Sequence, residues 1–255
     1  MKKSQKLSVV LPAYNEGEKI YENLKAVSSC LQEFCENYEL VAVNDGSRDN
    51  TSEEISRAAD DDEHIQLVTY EQNRGKGNAI KAGVYAATGD YIAFLDADLD
   101  ISPSHLKGYL EEMEKQSADI VIGSKMHKES QLEYPALRRF VSICYFIVLK
   151  LLFRLNVKDT QTGIKLFRSE VIKNIIGMIR TSGYAYDIEI LAVAARFGYR
   201  IIEQPITLKY TRQNSFGRIR FGDILRMAKD TLSIFYWLKI KKLYDSGAVV
   251  KEECS

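Results

Sequence analysis

The first half of the chain alternates between two hydrophobic periods, and this alternation constrains the fold more than any other feature. Short apolar, often β-branched runs predict strands at residues 7–11, 39–43, 65–70, 90–95 and 119–123. The segments between them carry apolar residues at helical spacing, as from Ile20 to Leu31. Strands alternating with helices indicate right-handed βαβ crossovers, and so predict an α/β fold with a mostly parallel sheet and helices on both faces.

Polar, turn-forming segments follow the predicted strands. They are PAYNE (residues 12–16), NDGSRDNT (44–51), NRGKGNA (73–79) and DADLD (96–100). Sheets of this kind bind their ligands at the carboxyl ends of the strands, where these four segments would meet. We therefore expect one binding site along this rim of the sheet.

Three aspartates at alternating positions, Asp96, Asp98 and Asp100, indicate what the rim binds. The sequence lacks two common phosphate-binding motifs: the loop around Lys76 has no Walker spacing, and GKGNAI ends in isoleucine where the dinucleotide fingerprint needs glycine. Carboxylates on a loop suit Mg²⁺ or Mn²⁺, which often bridge to substrate phosphates. The pattern favours a metal and diphosphate site over a kinase, NTPase or dehydrogenase site.

Composition excludes several other classes. The 35 basic residues balance the 35 acidic ones, so no overall positive field would attract nucleic acid. The four cysteines, Cys30, Cys35, Cys144 and Cys254, are scattered, and we expect reduced thiols rather than a zinc site or disulfides. The first apolar run is too short for a signal peptide, and no stretch approaches the ~20 apolar residues of a membrane span. We expect a soluble protein or one that binds a membrane surface.

Two apolar segments distinguish the second half of the chain. Residues 138–158 are apolar nearly all round and edged with cations, and residues 221–244 are amphipathic. The apolar stripe of the second segment consists of Ile224, Leu225, Ala228, Leu232, Phe235 and Leu238. Interfacial helices bury an apolar face while basic residues meet anionic lipid, so the two segments favour contact with a membrane surface. Helices of this kind also pack on a sheet or form a dimer.

Six motifs, taken in order, resemble those of the inverting glycosyltransferases of family 2: VVLPAYNE, VNDGSRDNT, NRGKGNAIKAG, FLDADLD, GSK and DTQTGIKLF. Within that family the chain is similar to the dolichyl-phosphate and polyprenyl-phosphate hexosyl synthases, of mannosyl or glucosyl type. The resemblance implies a GT-A fold, which is Rossmann-like, at residues 1–215, including an apolar helix near 138–157. A C-terminal amphipathic helix and tail would occupy residues 216–255.

The resemblance also implies roles for individual residues. The donor-binding set is Pro12, Tyr14, Glu16, Asp45, Lys76 and Asp96. The ligands of Mg²⁺ or Mn²⁺ would be Asp96, Asp98 and Asp100, although mannosyl-type members often have glutamine at the third position. The catalytic set is Asp96, Asp98, Lys125 and Asp187, and the acceptor set is Arg138, Arg139, Glu189, Arg212 and Ser215. Phe216 follows Ser215 where the family usually has lysine, so the acceptor loop departs from the pattern.

The implied function is transfer of a hexose from a nucleotide-sugar donor, UDP-glucose-like or GDP-mannose, to a polyprenyl or dolichyl phosphate at the cytoplasmic membrane face. The DTQTGIKLF motif weakly favours the glucosyl type and therefore a uridine nucleotide as donor. A lipid monophosphate is largely dianionic near neutrality, since its second pKa is about 6, and needs no strong base. A hydroxyl acceptor would need one, and Asp187 or Glu189 would then be the candidate.

Two other functions fit the same residues. One is a family 2 transferase that acts on a sugar hydroxyl of a glycan or glycolipid, and the other is a non-catalytic subunit that binds a nucleotide sugar. A homodimer or a membrane partner protein is also compatible with the two apolar segments. Delipidated, water-soluble acceptors would suit the hydroxyl transferase and not the lipid-phosphate transferase.

Overall fold

The structure, a computed structural model, describes residues 4–132, 136–153, 155–208 and 221–245. Side chains of residues 132, 136–144 and 221–225 lie outside this description. The elements are, in chain order, β1 (Leu7–Ala13), α1 (Ile20–Gln32), β2 (Tyr38–Asp45), α2 (Thr51–Asp61), β3 (Ile65–Tyr70), α3 (Lys76–Ala86), β4 (Tyr91–Phe94), α4 (His105–Lys115), β5 (Ile120–Ser124), β6 (Gln131–Leu132), α5 (Ala136–Phe153), β7 (Lys165–Arg168), α6 (Ser169–Ile176), α7 (Tyr186–Arg196), β8 (Ile201–Pro205), β9 (Thr207–Leu208) and α8 (Phe221–Phe235), which continues as a π-helical turn, Tyr236–Ile240.

The main sheet has the strand order β3-β2-β1-β4-β7-β5-β8. β1 pairs in parallel with β2 and β4, β2 with β3, and β5 with β8. The mostly parallel α/β sheet predicted from the sequence is therefore confirmed. β6 and β9 form a separate parallel pair.

Apolar packing on both faces holds the sheet between its helices. Leu40, Val41, Ala42 and Val43 of β2 are wholly buried, as expected for a strand with helices on both sides. The predicted apolar stripe of α1 is buried against one face, and α3 covers the other face with its own buried apolar residues. This double cover fixes the direction of the strands and therefore the position of the rim.

β7 is an element that the sequence analysis did not identify. It lies between β4 and β5 and runs antiparallel to both. Because it is antiparallel, its first residue, Lys165, pairs with Phe94, the last residue of β4. The rim thus receives side chains from the start of one strand as well as from the ends of the others.

The two predicted interfacial helices pack against each other and are shorter than the predicted segments. The hydroxyl groups of Tyr145 on α5 and Thr231 on α8 are 2.9 Å apart. The ring of Phe153 lies edge-on to that of Phe235, with 6.4 Å between the ring centroids. None of the helices within the described ranges combines the length and apolarity that crossing a bilayer requires.

The predicted apolar stripe of α8 coincides only in part with the buried face of this helix. Among residues 226–240, whose side chains the structure describes, the buried positions are Thr231, Ile234 and Leu238, and the last of these belongs to the predicted stripe. Leu232, which belongs to the predicted stripe, is exposed. Apolar side chains of this helix therefore lie both on its buried side and on its exposed side.

The Glu39 carboxylate connects the amino ends of β1 and β2 to the segment before β4. It accepts hydrogen bonds from the Lys6 ammonium, the Ser8 hydroxyl and the Thr88 backbone N–H, each at 2.6 Å. Burial raises the pKa of Glu39, but these donors outweigh it, so the pKa lies below its usual value. The ionised form is therefore the one that the folded state stabilises.

Replacing Glu39 with glutamine places an amide N–H₂ against donors and should lower the free energy of unfolding by about 1–3 kcal/mol near pH 7. A folded pKa below the unfolded value of about 4.3 gives stability that is present above that pH and is lost as the pH falls through the folded pKa. Urea denaturation should therefore give a constant difference between wild type and Glu39→Gln from pH 7 to 5.5, shrinking at lower pH. The exposed Glu111→Gln variant is the matched control, and a difference that persists undiminished near pH 3 would contradict the ionised network.

Candidate active site

A cavity of about 690 Å³ opens at the rim where the parallel strands β1 to β4 end. It collects residues that are far apart in the chain, because parallel strands finish at one edge of the sheet. All of the predicted donor-binding residues line it, together with the predicted metal ligand Asp98: Pro12, Tyr14, Glu16, Asp45, Lys76, Asp96 and Asp98. Residues of all four predicted polar segments therefore meet at this cavity.

The loop after β1 is held by the loop after β2. Asn15 has a φ of 54°, in the left-handed region that asparagine tolerates better than most residues. Its backbone N–H donates to the Ser47 hydroxyl at 3.0 Å, and its side-chain oxygen accepts from the Arg48 N–H at 2.9 Å. The Tyr14 ring is left partly exposed on the cavity wall, available for contact with a flat ligand.

Asp45 organises the loop after β3 as well as lining the cavity. Its carboxylate accepts hydrogen bonds from the Tyr70 hydroxyl at 2.6 Å, the Arg74 N–H at 2.8 Å, and the Gly75 N–H at 3.1 Å. The Asn73 amide donates to it at 3.0 Å. Burial and the hydrogen bond to Asp45 raise the pKa of the Tyr70 phenol, so Tyr70 stays protonated and acts as the donor. Asp45 is more than a turn residue, since it accepts hydrogen bonds from Tyr70 at the end of β3 and from three groups of the following loop.

The glycines on either side of Lys76, at the start of α3, let this part of the chain approach the segment before α7. Gly75 has a φ of 88°, and a Cβ on it would lie 2.6 Å from the carbonyl oxygen of Ser182. The Gly77 N–H donates to that oxygen at 2.8 Å, and a Cβ on Gly77 would lie 2.7 Å from the Thr181 carbonyl oxygen. Only glycine fits at these two positions, and this close contact fixes the direction in which Lys76 enters the cavity.

Lys76 and Asp96 form an ion pair on the cavity floor, with 2.5 Å between the ammonium nitrogen and Oδ1. Burial works against ionisation of Asp96, but Lys76 outweighs it and the pKa of Asp96 lies below its usual value. Burial likewise works against charge on Lys76, while Asp96 and Asp187 raise the pKa of Lys76. Both partners are therefore charged at neutral pH.

The surroundings of Asp98 shift its pKa in the direction opposite to that of Asp96. Burial, together with the charges of Asp96 and Asp100, raises the pKa of Asp98 to about 6. Asp98 Oδ1 accepts from the Asp100 backbone N–H at 3.3 Å, so the loop folds back on this carboxylate. A carboxylate repelled by two others is a position where a divalent cation would be strongly favoured.

A smaller chamber of about 180 Å³ lies on the other side of these carboxylates. Asp96 and Asp98 line both chambers, and Asp100 and Lys125 line this one. Asp159 holds the Lys125 segment, because its carboxylate accepts from the Lys125 N–H at 2.9 Å and lies 3.5 Å from the Lys125 ammonium. Three predicted carboxylates and a predicted cation thus surround one small space.

The donor set fits a hard divalent cation such as Mg²⁺ or Mn²⁺ that is bound partly by substrate. Oxygen ligands from Asp98 and its neighbours are the type that these ions prefer. Among the described residues, no group of three His, Cys, Asp or Glu side chains is close enough to hold a metal by itself. The protein residues present would therefore supply one or two ligands, and phosphate oxygens and water would complete the shell.

The structure separates Asp187 and Glu189 from both chambers. Asp187 is 6% exposed, and its Oδ1 lies 2.6 Å from the ammonium of Lys165, which is 1% exposed. Burial raises the pKa of Asp187, and Lys165 partly offsets this effect. Neither Asp187 nor Glu189 is among the residues that line the chambers.

Glu189 has a structural environment that differs from the predicted acceptor-binding one. It is wholly buried and accepts from the backbone N–H groups of Arg180 and Thr181, at 2.9 and 2.8 Å. The Thr181 and Tyr244 hydroxyls also donate to it. With four donors around it and no opening to either chamber, this carboxylate ties the C-terminal tail to the segment before α7.

The other predicted acceptor residues cannot be placed beside these. Arg138 and Arg139 belong to α5, but their side chains lie outside the described residues. Arg212 and Ser215 lie outside the described ranges altogether. Their roles stay predictions.

Sequence reasoning missed four residues near the site. Asp159 and Lys165 both lie within the DTQTGIKLF motif. Two opposite charges on either side of a glycine could have indicated them from the sequence. Arg226 and Asp230 of α8 line the large cavity one helical turn apart. Their spacing on the polar side of an amphipathic helix was visible in the sequence, but nothing there indicated that this side faces the rim.

The family described as Glycosyl transferase family 2 matches residues 8–176 of the chain. A dolichyl-phosphate beta-glucosyltransferase of Trichomonas vaginalis, ALG5A, is 32% identical over 240 residues, which are 89% of this chain and 72% of that protein. The dolichyl-phosphate beta-glucosyltransferase of Dictyostelium discoideum is 30% identical, with 89% and 73% covered. Glycosyltransferase AglD of Haloferax volcanii is 28% identical over 92% of this chain, and the chain spans 38% of its length.

A solved structure gives the same fold. Glucosyl-3-phosphoglycerate synthase from Mycobacterium tuberculosis in complex with UDP matches with a TM-score of 0.68 at 18% identity, covering 91% of this chain and 79% of that one. At this identity the likeness concerns the fold, and it confirms the predicted GT-A architecture. The family match covers well over half of the chain and the relatives cover nearly all of it. The chain therefore belongs to glycosyl transferase family 2 and is a glycosyltransferase.

Proposed function

We propose that this enzyme transfers glucose from UDP-glucose to a dolichyl or polyprenyl phosphate at the cytoplasmic face of a membrane. The observation that carries the proposal is the large cavity whose floor holds the Lys76–Asp96 ion pair and the Asp98 carboxylate. A nucleoside diphosphate sugar needs a wall for its base and ribose and a charged floor for its diphosphate. The names of the relatives from Trichomonas vaginalis and Dictyostelium discoideum support the glucosyl donor and the lipid phosphate acceptor.

In this proposal the loops after β1 and β2 bind the nucleoside. Pro12, Tyr14 and Glu16 contact the base, while Asp45 fixes the neighbouring loop and lies near the ribose. Lys76 and Asp96 then position the ribose and diphosphate from the floor. UDP is supported as the donor nucleotide by the solved structure that resembles this chain and holds UDP.

Asp98, with Asp96 or Asp100, would hold Mg²⁺ or Mn²⁺ in this site. A related solved structure contains Mn²⁺ together with UDP-glucose and phosphoglyceric acid, at 18% identity and a TM-score of 0.66. When bound, the cation neutralises negative charge on the diphosphate as it departs. Lys125, on the wall of the smaller chamber, adds a fixed positive charge for the same diphosphate.

The acceptor attacks from the face of the sugar opposite to the diphosphate. A phosphate oxygen forms a bond to the anomeric carbon while the bond from that carbon to the diphosphate breaks, and the nucleoside diphosphate leaves with the electron pair. This displacement inverts the anomeric carbon. The acceptor phosphate is already ionised near neutrality, so the side chains need to orient it rather than remove a proton. We assign that orientation to Arg138, Arg139, Arg212 and Ser215.

The paired helices α5 and α8 supply the membrane contact in this proposal. Apolar side chains at Ile147, Val148 and Leu151 of α5 are exposed, as are Leu232 of α8 and Ile240 of the π-helical turn. Lysines at positions 150, 239, 241 and 242 lie among them in the sequence. α8 also lines the large cavity through Arg226, so a membrane-bound α8 would bring the lipid surface close to the donor.

Purified enzyme, incubated with UDP- and GDP-sugars, Mg²⁺ or Mn²⁺ and a short polyprenyl phosphate, should form a glucosylated lipid phosphate from UDP-glucose. Mass spectrometry identifies the product. The Asp98→Asn variant should lose at least about 100-fold in kcat, since charge stabilisation at a departing group contributes on this scale. Asp60→Asn, an exposed aspartate on α2, is the matched control and should keep full activity.

The other acceptors separate the alternatives in the same experiment. Transfer to a sugar alcohol but not to the lipid phosphate would replace our proposal with a hydroxyl transferase. Nucleotide binding without transfer to any acceptor would favour the non-catalytic subunit. Full activity of Asp98→Asn after metal chelation would remove the assigned role of the carboxylates.

Leu151→Glu and Ile240→Glu should each weaken binding to anionic vesicles by about tenfold or more, because a buried aliphatic side chain contributes about 1.5–3 kcal/mol. These side chains are 76% and 63% exposed, so the fold should tolerate the changes. Vesicle flotation at low and high salt measures the effect, and the basic residues should make binding salt-sensitive. Tyr85→Glu, at a 58% exposed position on α3, is the control. Unchanged flotation with an altered sedimentation coefficient would show a protein interface instead of a lipid-binding face.

A further inference from the structure

We propose that Lys165 and Asp187 form a buried positioning pair that sets the Asp96 loop against Lys76, and that Asp187 is not a general base. This inference rests on the proposed function and gives roles to a strand and a helix that do not line the site themselves. It changes the role that the sequence indicated for Asp187. It also adds Lys165, which the sequence analysis did not select.

The pair is fully enclosed by protein. Lys165 begins β7, Asp187 lies in the first turn of α7, and their charged groups are 2.6 Å apart. A buried ion pair adds little net stability, because removing two charges from water offsets most of their attraction. Two apolar residues of similar size would fill the same space as well. A role in fixing the geometry of the neighbouring site explains charges at this position better than stability does.

The Lys165 side chain connects this pair to the Asp96 loop through the backbone. Its ammonium also donates to the Thr162 carbonyl oxygen at 2.6 Å. The next residue, Gly163, lies so close to Asp96 that a Cβ on it would be 2.2 Å from Asp96 Oδ2. Moving the Thr162 carbonyl would therefore move Gly163 into or away from the Asp96 carboxylate.

The start of α7 also contacts the Lys76 side of the floor. Tyr186, which precedes Asp187, packs so closely on the start of α3 that a Cβ on Gly77 would be 2.9 Å from the Tyr186 Cβ. The first turn of α7 thus contacts the start of α3, which carries Lys76, and, through Lys165, the loop that borders Asp96. The relative position of the two partners on the floor is set from this turn.

The charges of the two ion pairs, Lys165–Asp187 and Lys76–Asp96, alternate in sign and so stabilise one another in this arrangement. Lys165 favours the ionised form of Asp96, and Asp187 favours the charged form of Lys76. Each charge in the buried pair therefore acts on the oppositely charged partner of the Lys76–Asp96 pair. The effect on Lys76 and Asp96 therefore depends on which residue of the buried pair is positive and which is negative. A zero net charge of the pair is not sufficient.

Exchanging Lys165 and Asp187 distinguishes a role in positioning the site from a role in stability alone. In Lys165→Asp/Asp187→Lys an ion pair can still form, but an anion now lies towards Asp96 and a cation towards Lys76. We expect kcat for glucosyl transfer to fall about 100-fold, as a displacement of about 1 Å at a reacting group can do. UMP affinity should stay within about twofold, because the loop after β1, which we assign to the base, is held by the loop after β2 and not by the pair.

A second variant covers the case in which the exchanged protein does not fold. Lys165→Met/Asp187→Leu removes both charges at similar volume, which proteins often tolerate without loss of stability. The same fall in kcat with unchanged UMP affinity and melting temperature supports the proposal. Activity within threefold of wild type in either folded variant would overturn it. The control exchange, Glu112→Lys/Lys115→Glu, alters a surface ion pair on α4 and should leave activity unchanged.

Crystal structures of the wild type and of the apolar double variant provide a readout that needs no turnover. We expect the Gly163 backbone to shift and the Asp96 carboxylate to leave Lys76 in the variant. An unchanged Lys76–Asp96 pair would overturn the inference whether or not the enzyme transfers glucose. If the wild type fails to form any glycosylated lipid, the proposed function fails, and the crystal structures still decide the positioning role.

Discussion

Like charges at the end of β4 are the constraint around which the site is arranged. A strand that ends in Asp96, Asp98 and Asp100 brings carboxylates together in a partly enclosed space, where their repulsion is stronger than in water. The protein compensates one of them directly, since Lys76 pairs with Asp96. Asp98 is not compensated to the same degree, and its pKa rises to about 6. The difference leaves one carboxylate fixed by the protein and another suited to an external cation.

The sequence predicted those parts of the fold that follow from local periodicity. Short apolar runs and helical spacing located β1 to β5 and the helices between them, and parallel topology then placed four polar segments at one rim. β7 could not be predicted in this way, because KLFR is too short to show a period and its direction depends on its neighbours β4 and β5. Lys165 was missed for the same reason, since its position at the rim follows from the antiparallel direction.

Asp187 and Glu189 show where reasoning about the site from the sequence stops. Both are acidic residues in the first turn of α7, where a negative charge suits the helix dipole, and the pattern YDIEIL treats them alike. In the structure one pairs with Lys165 while the other accepts hydrogen bonds from the segment before the helix and from Tyr244. Burial and partners distinguish them, and both depend on segments far away in the chain.

The contacts of α7 and α8 join the donor cavity to the helices that we assign to the membrane. Glu189 accepts from Tyr244 in the tail and from Thr181, and the Thr181–Ser182 segment lies against the glycines beside Lys76. α8 itself lines the cavity through Arg226 and Asp230 while exposing Leu232. Displacement of the tail would therefore move the segment on which the Lys76 loop rests. Since packed interiors transmit displacements rather than absorb them, the position of the floor and that of the C-terminal helix are mechanically linked.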